Sequence, residues 1–334
     1  MAKEFPHKQH AHCENGSLCN LLRNEGVEIS EPLVFGTGSG IFFAHMPFIK
    51  NQGIPLTSFR ILPGKIYWNA TKNLGIKMAK HQYKNPQKAM DELDEMLLKG
   101  KPVGLLTNLY YLPYFPQEYR FHYNSHNTII YRKENGHYLV SDPVLEKTTT
   151  ISYYDLMKAR FAKGVLHLKG DMYYPLSIPE QSNIQKAIKK GIKTTINLMI
   201  KNPVPYHGIT GISFLAKKIR KWETSLDEET LKLFLGNIIR MQEETGTGGA
   251  GFRFIYAAFL LEAAKVLKDD RFRQLSENIS TAGDNWRAFA LHAAKICKDR
   301  GNRKEEFDYM VNILKDIAEL EKNTYKELKN IISK

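Results

Sequence analysis

The chain has 334 residues, of which 43% are hydrophobic and 25% charged, and its formal net charge is +13. A chain of this length buries a sizeable core without disulfides or a metal, and its length favours about two domains. It contains no apolar run of the ~20 residues that a membrane span needs, and no apolar segment of the secretory-signal type at its N-terminus. These features exclude collagen-like, disordered, disulfide-scaffold and membrane-spanning classes, and a reducing cytoplasmic location is the expectation.

The first part of the chain, to about residue 178, alternates helical and strand patterns and predicts an α+β domain. Apolar residues at helical spacing indicate the helices, and Asn135-Gly136 between two apolar runs is typical of a hairpin turn. The predicted elements are a helix over 17–25, a glycine-lined turn over 36–40, a helix over 86–99, strands over 102–106, 127–131 and 138–141, and a helix over 153–161.

From about residue 179 the pattern changes to long helices. Isoleucine recurs every fourth residue from Ile184 to Ile200, which predicts one buried stripe along a helix that ends at Pro203. Further helices are predicted over 228–242, 252–267, 285–297 and 305–332. The predicted domains are therefore an α+β catalytic domain over 1–178 and a helical domain over 179–334.

Cys13 lies directly before the first predicted helix. At that position the backbone N–H groups and the positive end of the helix dipole favour the thiolate, which is the nucleophilic form. A catalytic cysteine also needs a base, and the base needs an orienting acceptor. His126 opens the first strand of the predicted hairpin and Asp142 follows the second, and these two ends meet in an antiparallel pair. The residues predict a papain-like triad, with a buried structural cysteine as the alternative.

The other two cysteines, Cys19 and Cys297, lie on predicted helices and are expected to be core residues. Three scattered cysteines form neither a disulfide framework nor a zinc-type spacing, and no HExxH motif is present, so no metal is predicted. Glu14 suits the dipole of the helix that follows Cys13, and a contact with a substrate amine is the second interpretation. Glu31 precedes a proline and is predicted to be a hydrogen-bond anchor.

A basic segment runs from Gln181 to Trp222 and contains nine Lys or Arg residues with no Asp or Glu. Such a segment favours an acidic partner, and a solvated basic face is an equally weighted alternative. No zinc finger, RNP-like motif or basic zipper accompanies it, so nucleic acid is not the predicted partner. The basic residues are Lys186, Lys189, Lys190, Lys193, Lys201, Lys217, Lys218, Arg220 and Lys221.

Two further segments are candidates for ligand contacts. The glycine-rich loop over 246–251 opens a helix, so Gly248 and Gly249, with Arg253, are candidates to hold a pantetheine phosphate; a tight turn for close helix packing is the preferred interpretation. The aromatic run over 110–116 predicts a wall of the substrate cleft, with Tyr111 as a candidate contact. Packing between the two domains is the alternative for this run.

Several short motifs together resemble the butirosin biosynthesis protein H family. The parts of this chain that resemble the N-terminal domain of that family are the segments 12–22, 30–31, 34–40 and 109–116, together with His126 and Ser141-Asp142-Pro143. The segment 246–253, with Tyr256 and the segment 259–264, resembles the helical domain that is usually fused to it. The resemblance extends over nearly the whole chain.

The resemblance implies a papain-like α+β fold related to double-glycine leader peptidases, followed by a mostly helical domain. It also implies an acyltransferase of secondary metabolism, of the antibiotic-biosynthesis kind. Its donor substrate would be the phosphopantetheine thioester of an acidic acyl carrier protein, its acceptor a small-molecule amine, and no bound cofactor is implied. On that template Cys13 matches the nucleophile, His126 the general base and Asp142 the orienting acid.

This chain departs from the pattern at two points: Asn108 stands where the family often has Asp, and the oxyanion hole differs. Leader peptidases carry a glutamine six residues before the cysteine, whereas this chain has His7 there. The backbone N–H of Cys13 with Gln9 is therefore the candidate pair of donors.

Two other functions remain open from the sequence. A cysteine amidase or peptidase would use the same triad with water in place of the amine. A non-catalytic basic binding protein would have an inert, buried Cys13. A homodimer formed through the helical domain is a further hypothesis.

Overall fold

The computed structural model describes residues 4–164, 166–180 and 183–333. The first part of the chain contains α1 (Cys13–Asn24), α2 (Glu31–Thr37), β1 (Ile41–Asn51), β2 (Ile54–Arg60), α3 (Lys65–Leu74), β3 (Lys77–His81), α4 (Pro86–Leu98), β4 (Val103–Thr107), β5 (His126–Glu134), β6 (His137–Ser141), β7 (Thr149–Ser152), α5 (Tyr153–Arg160) and β8 (Met172–Ser177). The remainder contains α6 (Ile184–Ile200), α7 (Gly208–Ser225), α8 (Glu228–Glu243), α9 (Arg253–Leu267), α10 (Arg271–Cys297) and α11 (Arg303–Ile332).

These elements form two compact units. The first unit comprises the described residues up to 34 and from 66 to 180, and the second comprises residues 35–65 and the described residues from 183 onward. The sequence analysis placed residues 35–65 in the first domain, so the division differs there. The reason is a long-range one: the β1–β2 hairpin packs on α7 and α8, a contact that local periodicity does not encode.

The first unit is built on a six-stranded antiparallel sheet of order β3-β8-β4-β5-β6-β7. The β5–β6 turn has positive φ at both Asn135 and Gly136, as a two-residue hairpin turn requires. Helix α4 begins where the Asn85 side chain accepts from the backbone N–H of Lys88, with Pro86 in the first turn. Helices α4 and α5 bury their apolar sides in the core on this sheet, and α1 packs on β5.

The second unit is mostly helical. Trp286 of α10 packs between Phe43 of β1 and Phe59 of β2, with ring centroids 5.5 Å and 5.0 Å away. The Arg253 guanidinium is fully buried and pairs with the Glu321 carboxylate, and the Nε1–H of Trp286 donates to the same carboxylate. A buried charge needs such a partner, and the shared carboxylate links α9, α10 and α11 in the core of this unit.

Most of the predicted elements are present in the structure, and the differences lie in one helix start and in several elements that were not predicted. Helix α10 begins at Arg271 rather than at 285, and Gly283 lies within it, where a Cβ atom would be 2.7 Å from the Phe254 ring. The elements that were not predicted are α2, α3, α7, the β1–β2 hairpin, β3, β7 and β8. The buried apolar residues of α7 lie within the basic segment, and its lysines interrupt the apolar pattern from which a helix would be predicted. Among the residues that the structure describes, no helix is long and apolar enough to cross a membrane.

Candidate active site

Cys13 is the first residue of α1, which begins about one turn before the predicted helix start at residue 17, and the residue is 8% exposed. The Glu31 carboxylate accepts from the backbone N–H groups of Ala11 and His12 at 2.9 Å and 2.8 Å. This confirms Glu31 as a hydrogen-bond anchor and fixes the direction in which the chain enters α1. The first N–H groups of a helix have no acceptor within it, so they are available to a negative charge at this end.

Gly16, in the first turns of α1, is packed against two neighbouring segments. A Cβ atom there would lie 2.6 Å from the Cβ atoms of both His10 and Pro143. The backbone N–H of His10 donates to the Pro143 carbonyl at 2.6 Å, which ties the two segments together. Because Pro143 follows Asp142, the missing side chain lets the loop that carries the acid lie against the cysteine helix.

His126 and Asp142 form a buried pair at the ends of β5 and β6. The His126 Nε2 lies 2.6 Å from the Asp142 Oδ2, and both side chains are at most 6% exposed. The Tyr114 hydroxyl donates to the same oxygen at 2.9 Å, and the Val144 N–H donates to Oδ1 at 3.2 Å. Nε2 is bound to the acid, and the His126 side chain also interacts with the Cys13 thiol, so the imidazole links the acid and the sulfur as the base of a catalytic triad does.

The ionisation of His126 is set by opposing effects. Burial is the largest effect and lowers its pKa, but the Asp142 carboxylate and the Cys13 thiol outweigh it and raise the pKa of His126 to about 10. The imidazole is therefore charged at neutral pH. The structure thus brings the three predicted catalytic residues together.

The aromatic run contributes two residues that the sequence analysis did not select. Besides the Tyr114 hydroxyl on Asp142, the Phe115 ring lies edge-on to the His126 ring, with centroids 5.6 Å apart. Tyr111, the residue predicted from this run, is half-buried and packs edge-on against Tyr110. A run of consecutive aromatic residues gives no periodicity from which the residues facing the triad can be chosen.

The candidate oxyanion donor Gln9 has a different partner. Its side chain is exposed, and its amide donates to the Val144 carbonyl at 3.1 Å. His7, at the position of the leader-peptidase glutamine, contacts the Ser141 hydroxyl at 2.8 Å and the Leu145 carbonyl at 3.1 Å. Both side chains thus hold the segment that follows β6, and this geometry gives the Gln9 assignment no support.

Glu14 is a structural residue rather than a ligand. It is fully buried, and its Oε1 accepts from the backbone N–H groups of Ile66 and Tyr67 at 2.9 Å and 3.1 Å. Those groups open α3, so Glu14 caps a helix about fifty residues further along the chain. Neither of its predicted roles, at the dipole of its own helix or on a substrate amine, included this contact.

The glycine-rich loop forms a tight turn, which is the preferred one of its two predicted interpretations. The Gly249 N–H donates to the Thr247 hydroxyl at 3.0 Å, and the Ala250 N–H donates to the Glu243 carboxylate at 3.2 Å. Gly248 and Gly249 have φ values of 65° and 86°, which the tight turn requires. Because the loop already holds an acid and Arg253 is buried on Glu321, this geometry gives no support to the prediction that Gly248, Gly249 and Arg253 bind a phosphate.

The remaining cysteines differ from Cys13. Cys19 is fully buried, as predicted, and burial raises the pKa of its thiol well above the usual range. Cys297 is half-buried, and its sulfur contacts the Lys232 carbonyl at 3.6 Å. Of the three, only Cys13 begins a helix.

Comparisons with known proteins agree with this geometry. Residues 12–143 match the family described as Butirosin biosynthesis protein H, N-terminal, and residues 154–328 match a domain of unknown function, DUF4872. No curated protein matches the chain. Among solved structures, the chain is similar to one described as a C39-like peptidase from Bacillus anthracis, at 17% identity, with a TM-score of 0.36 and coverage of 54% of this chain and 96% of that chain.

The fold class is the predicted one: an α+β, papain-like cysteine-enzyme domain followed by a mostly helical region. The cysteine lies at a helix N-terminus, and the histidine and acid lie on an antiparallel hairpin. Residues 12–143 therefore belong to the butirosin biosynthesis protein H N-terminal family, and residues 154–328, more than half of the chain, belong to the DUF4872 family.

Proposed function

We propose that this protein is an acyltransferase that moves an acyl group from a phosphopantetheine thioester to a small-molecule amine through an acyl-enzyme on Cys13. The observation that carries the proposal is the buried His126–Asp142 pair beside a thiol at a helix N-terminus. A thioester is a suitable donor, because exchange between a protein thiolate and a pantetheine thiolate needs little driving force.

In the first half-reaction the Cys13 thiolate attacks the thioester carbonyl carbon and forms a new C–S bond. The oxyanion is stabilised by the N–H groups at the start of α1. Its collapse breaks the original C–S bond, and the pantetheine sulfur leaves with the proton of the His126 imidazolium. Cys13 then carries the acyl group, and His126 is neutral.

In the second half-reaction the acceptor amine attacks the acyl-enzyme carbonyl carbon. Neutral His126 takes a proton from the amine nitrogen as the C–N bond forms. Collapse of the second oxyanion breaks the C–S bond to Cys13, releases the amide and restores the thiolate–imidazolium pair. Asp142 keeps the imidazole in one orientation throughout, since both of its carboxylate oxygens are held by Tyr114 and Val144.

Two features favour transfer from an acidic carrier protein over hydrolysis. The Cys13 and His126 side chains are only 8% and 5% exposed, and restricted access for water favours an acceptor that is delivered by binding. In the second unit, the α6 lysines are exposed and have no ion pair within the described part of the chain. Such unpaired charge attracts an acidic partner. These lysines are Lys186, Lys189, Lys190 and Lys193.

The test is product analysis with acyl-pantetheine thioesters, with and without a panel of primary amines. Transfer predicts that the amide accumulates and that thiol release accelerates when the amine is added. Free acid formed at the same rate with and without amine would contradict transfer and indicate a hydrolase. Thiol release that continues in Cys13→Ala would contradict both transfer and hydrolysis through Cys13. The matched control is Cys297→Ala, which is expected to retain activity.

A further inference from the structure

Asn127 is a buried polar residue that contacts the sulfur of Cys13 from within the sheet. It follows His126 in β5 and is fully buried. Its Nδ2 lies 3.9 Å from the Cys13 Sγ, within the longer range of hydrogen bonds to sulfur. The thiol therefore has two polar neighbours, the imidazole of His126 and this amide.

The orientation of the Asn127 amide is determined by two other groups. Its Nδ2 donates to the Ser125 carbonyl at 3.2 Å, and a carbonyl only accepts, so the nitrogen must lie on that side. Its Oδ1 accepts from the Tyr173 hydroxyl at 2.8 Å. The amide has two N–H groups, so the one that Ser125 does not use is the donor that faces Cys13.

Tyr173 is itself held firmly. Its ring is fully buried and stacks on the Tyr67 ring, with centroids 4.8 Å apart and an interplanar angle of 16°. The Tyr67 backbone N–H donates to the Glu14 carboxylate on the cysteine helix. A chain of buried contacts thus runs from α1 through Tyr67 and Tyr173 to Asn127 and back to the sulfur.

We infer that Asn127 is a further catalytic residue, whose amide donates to the Cys13 sulfur, and that Tyr173 is a positioning residue for that amide. The inference rests on the proposed acyl-enzyme chemistry. The sulfur is negative in the resting pair and again when it leaves the acyl group, and it is neutral in the acyl-enzyme. A fixed donor stabilises the charged states more than the neutral one, which increases the thiolate population and assists its departure.

The test is the pH profile of Cys13 alkylation by iodoacetamide, a measurement that needs no substrate. Cys13 and Cys19 lie on one tryptic peptide, so fragment spectra assign the modified sulfur. In Asn127→Ala the midpoint of the profile is expected to move up by about one pH unit, which makes alkylation below the midpoint about tenfold slower. Asn127→Asp should move it further, since a carboxylate then faces the thiolate.

Tyr173→Phe should move the midpoint in the same direction by less, because the amide keeps its bond to Ser125. The matched control is Asn20→Ala, which removes a buried amide of α1 that donates to the Lys8 carbonyl, and should leave the profile unchanged. If Asn127→Ala does not fold, the isosteric Asn127→Asp and Tyr173→Phe still decide the matter.

Profiles of these folded variants that coincide with the wild-type profile would overturn the inference and leave the proposed acyl transfer intact. A wild-type Cys13 that is not alkylated by iodoacetamide at any pH would overturn both the role of Asn127 and the proposed acyl transfer. Shifted profiles in an enzyme that forms no amide would support the role of Asn127 at the thiol and overturn the transfer reaction alone.

Discussion

The ionisation of His126 depends on a carboxylate that is itself held in place. Asp142 is fully buried, and its two oxygens accept from His126, Tyr114 and Val144. Burial lowers the pKa of the imidazole, and the Asp142 carboxylate is the largest of the effects that raise it. The orienting residue therefore has an electrostatic role as well as a geometric one.

The pH dependence of the reaction tests that role. The raised pKa of His126 keeps the imidazolium until about pH 10, so the alkaline limb of kcat/KM is expected to fall near that value. In Asp142→Asn the raising effect of the carboxylate is lost while burial still lowers the pKa, so the limb should move to lower pH. The rate at neutral pH should also fall about 10²- to 10⁴-fold.

Tyr114→Phe is the matched control, since it removes a hydrogen bond to Asp142 but leaves the carboxylate. It should lower the rate by much less and shift the limb only slightly. An alkaline limb that is the same in Asp142→Asn and wild type would show that the carboxylate does not set the charge of His126.

For single residues, the sequence predicts a site well when the contact follows from the pairing of neighbouring strands or from a helix start. His126 and Asp142 are at adjoining ends of one hairpin, and Cys13 begins a helix, so all three could be selected in advance. Gln9 and Arg253 could not be judged that way. Their partners, Val144 and Glu321, lie far along the chain and are chosen by tertiary packing.

Among the elements, those with local signals are the ones that the sequence predicts. Helix α4 has a capping asparagine and a proline in its first turn, and the β5–β6 hairpin has its Asn-Gly turn. The β1–β2 hairpin turns at Gln52-Gly53, where both φ values are positive but the asparagine of the typical turn pair is absent, and its strands lack a clean alternation because their partners are helices of the second unit. The capping of α3 by Glu14 could not be predicted from local sequence either, since about fifty residues separate the donor from the acceptor.

The packing of α1 on the loop after Asp142 gives a prediction about an element. Gly16→Ala introduces a Cβ atom 2.6 Å from two neighbouring side chains, so one of the segments must shift. We expect the free energy of unfolding to fall by about 1–3 kcal/mol and the acylation rate to fall with it, because the loop carries the acid. Chemical denaturation and single-turnover acylation measure the two effects.

Gly236→Ala is the control for this substitution. Gly236 lies within α8, where a Cβ atom would meet no neighbour within 4 Å, and alanine is favoured over glycine in a helix by roughly 1 kcal/mol. This variant should be as stable as the wild type or more so, with unchanged acylation. A Gly16→Ala enzyme with wild-type stability and rate would contradict the role given to this contact.

At the scale of the whole molecule, charge and chemistry are carried by different units. The triad lies in the first unit, and the unpaired lysines of α6 lie in the second. No local pattern indicates that residues 35–65 belong to the helical unit, because that assignment depends on long-range packing. The basic segment, by contrast, could be read directly from composition, and its lysines are exposed in the structure except Lys218, which is half-buried.

If these lysines attract an acidic carrier protein, neutralising them should weaken only the carrier reaction. Replacing all four α6 lysines by glutamine is expected to raise KM for the carrier thioester about tenfold at low salt, with the difference shrinking as salt is added. KM for free acyl-pantetheine should not change. The matched control replaces the same number of exposed lysines in the first unit, namely Lys72, Lys77, Lys84 and Lys101.

An equal rise in KM for the carrier thioester in both quadruple variants would contradict a docking role for α6. It would indicate only a general effect of the protein's net charge. An equal rise in KM for free acyl-pantetheine would contradict the docking role too, because the lysines would then act on the small substrate.

The measurement that tests the central claim most directly is intact-protein mass spectrometry after incubation with acyl-pantetheine thioesters, for wild type beside Cys13→Ala. The account predicts one acyl group on the wild type, located on Cys13, that disappears when an acceptor amine is added. Cys13→Ala should acquire none. A wild type that gains no acyl group from any thioester of the panel, or an adduct that persists in Cys13→Ala, would contradict a Cys13 acyl-enzyme.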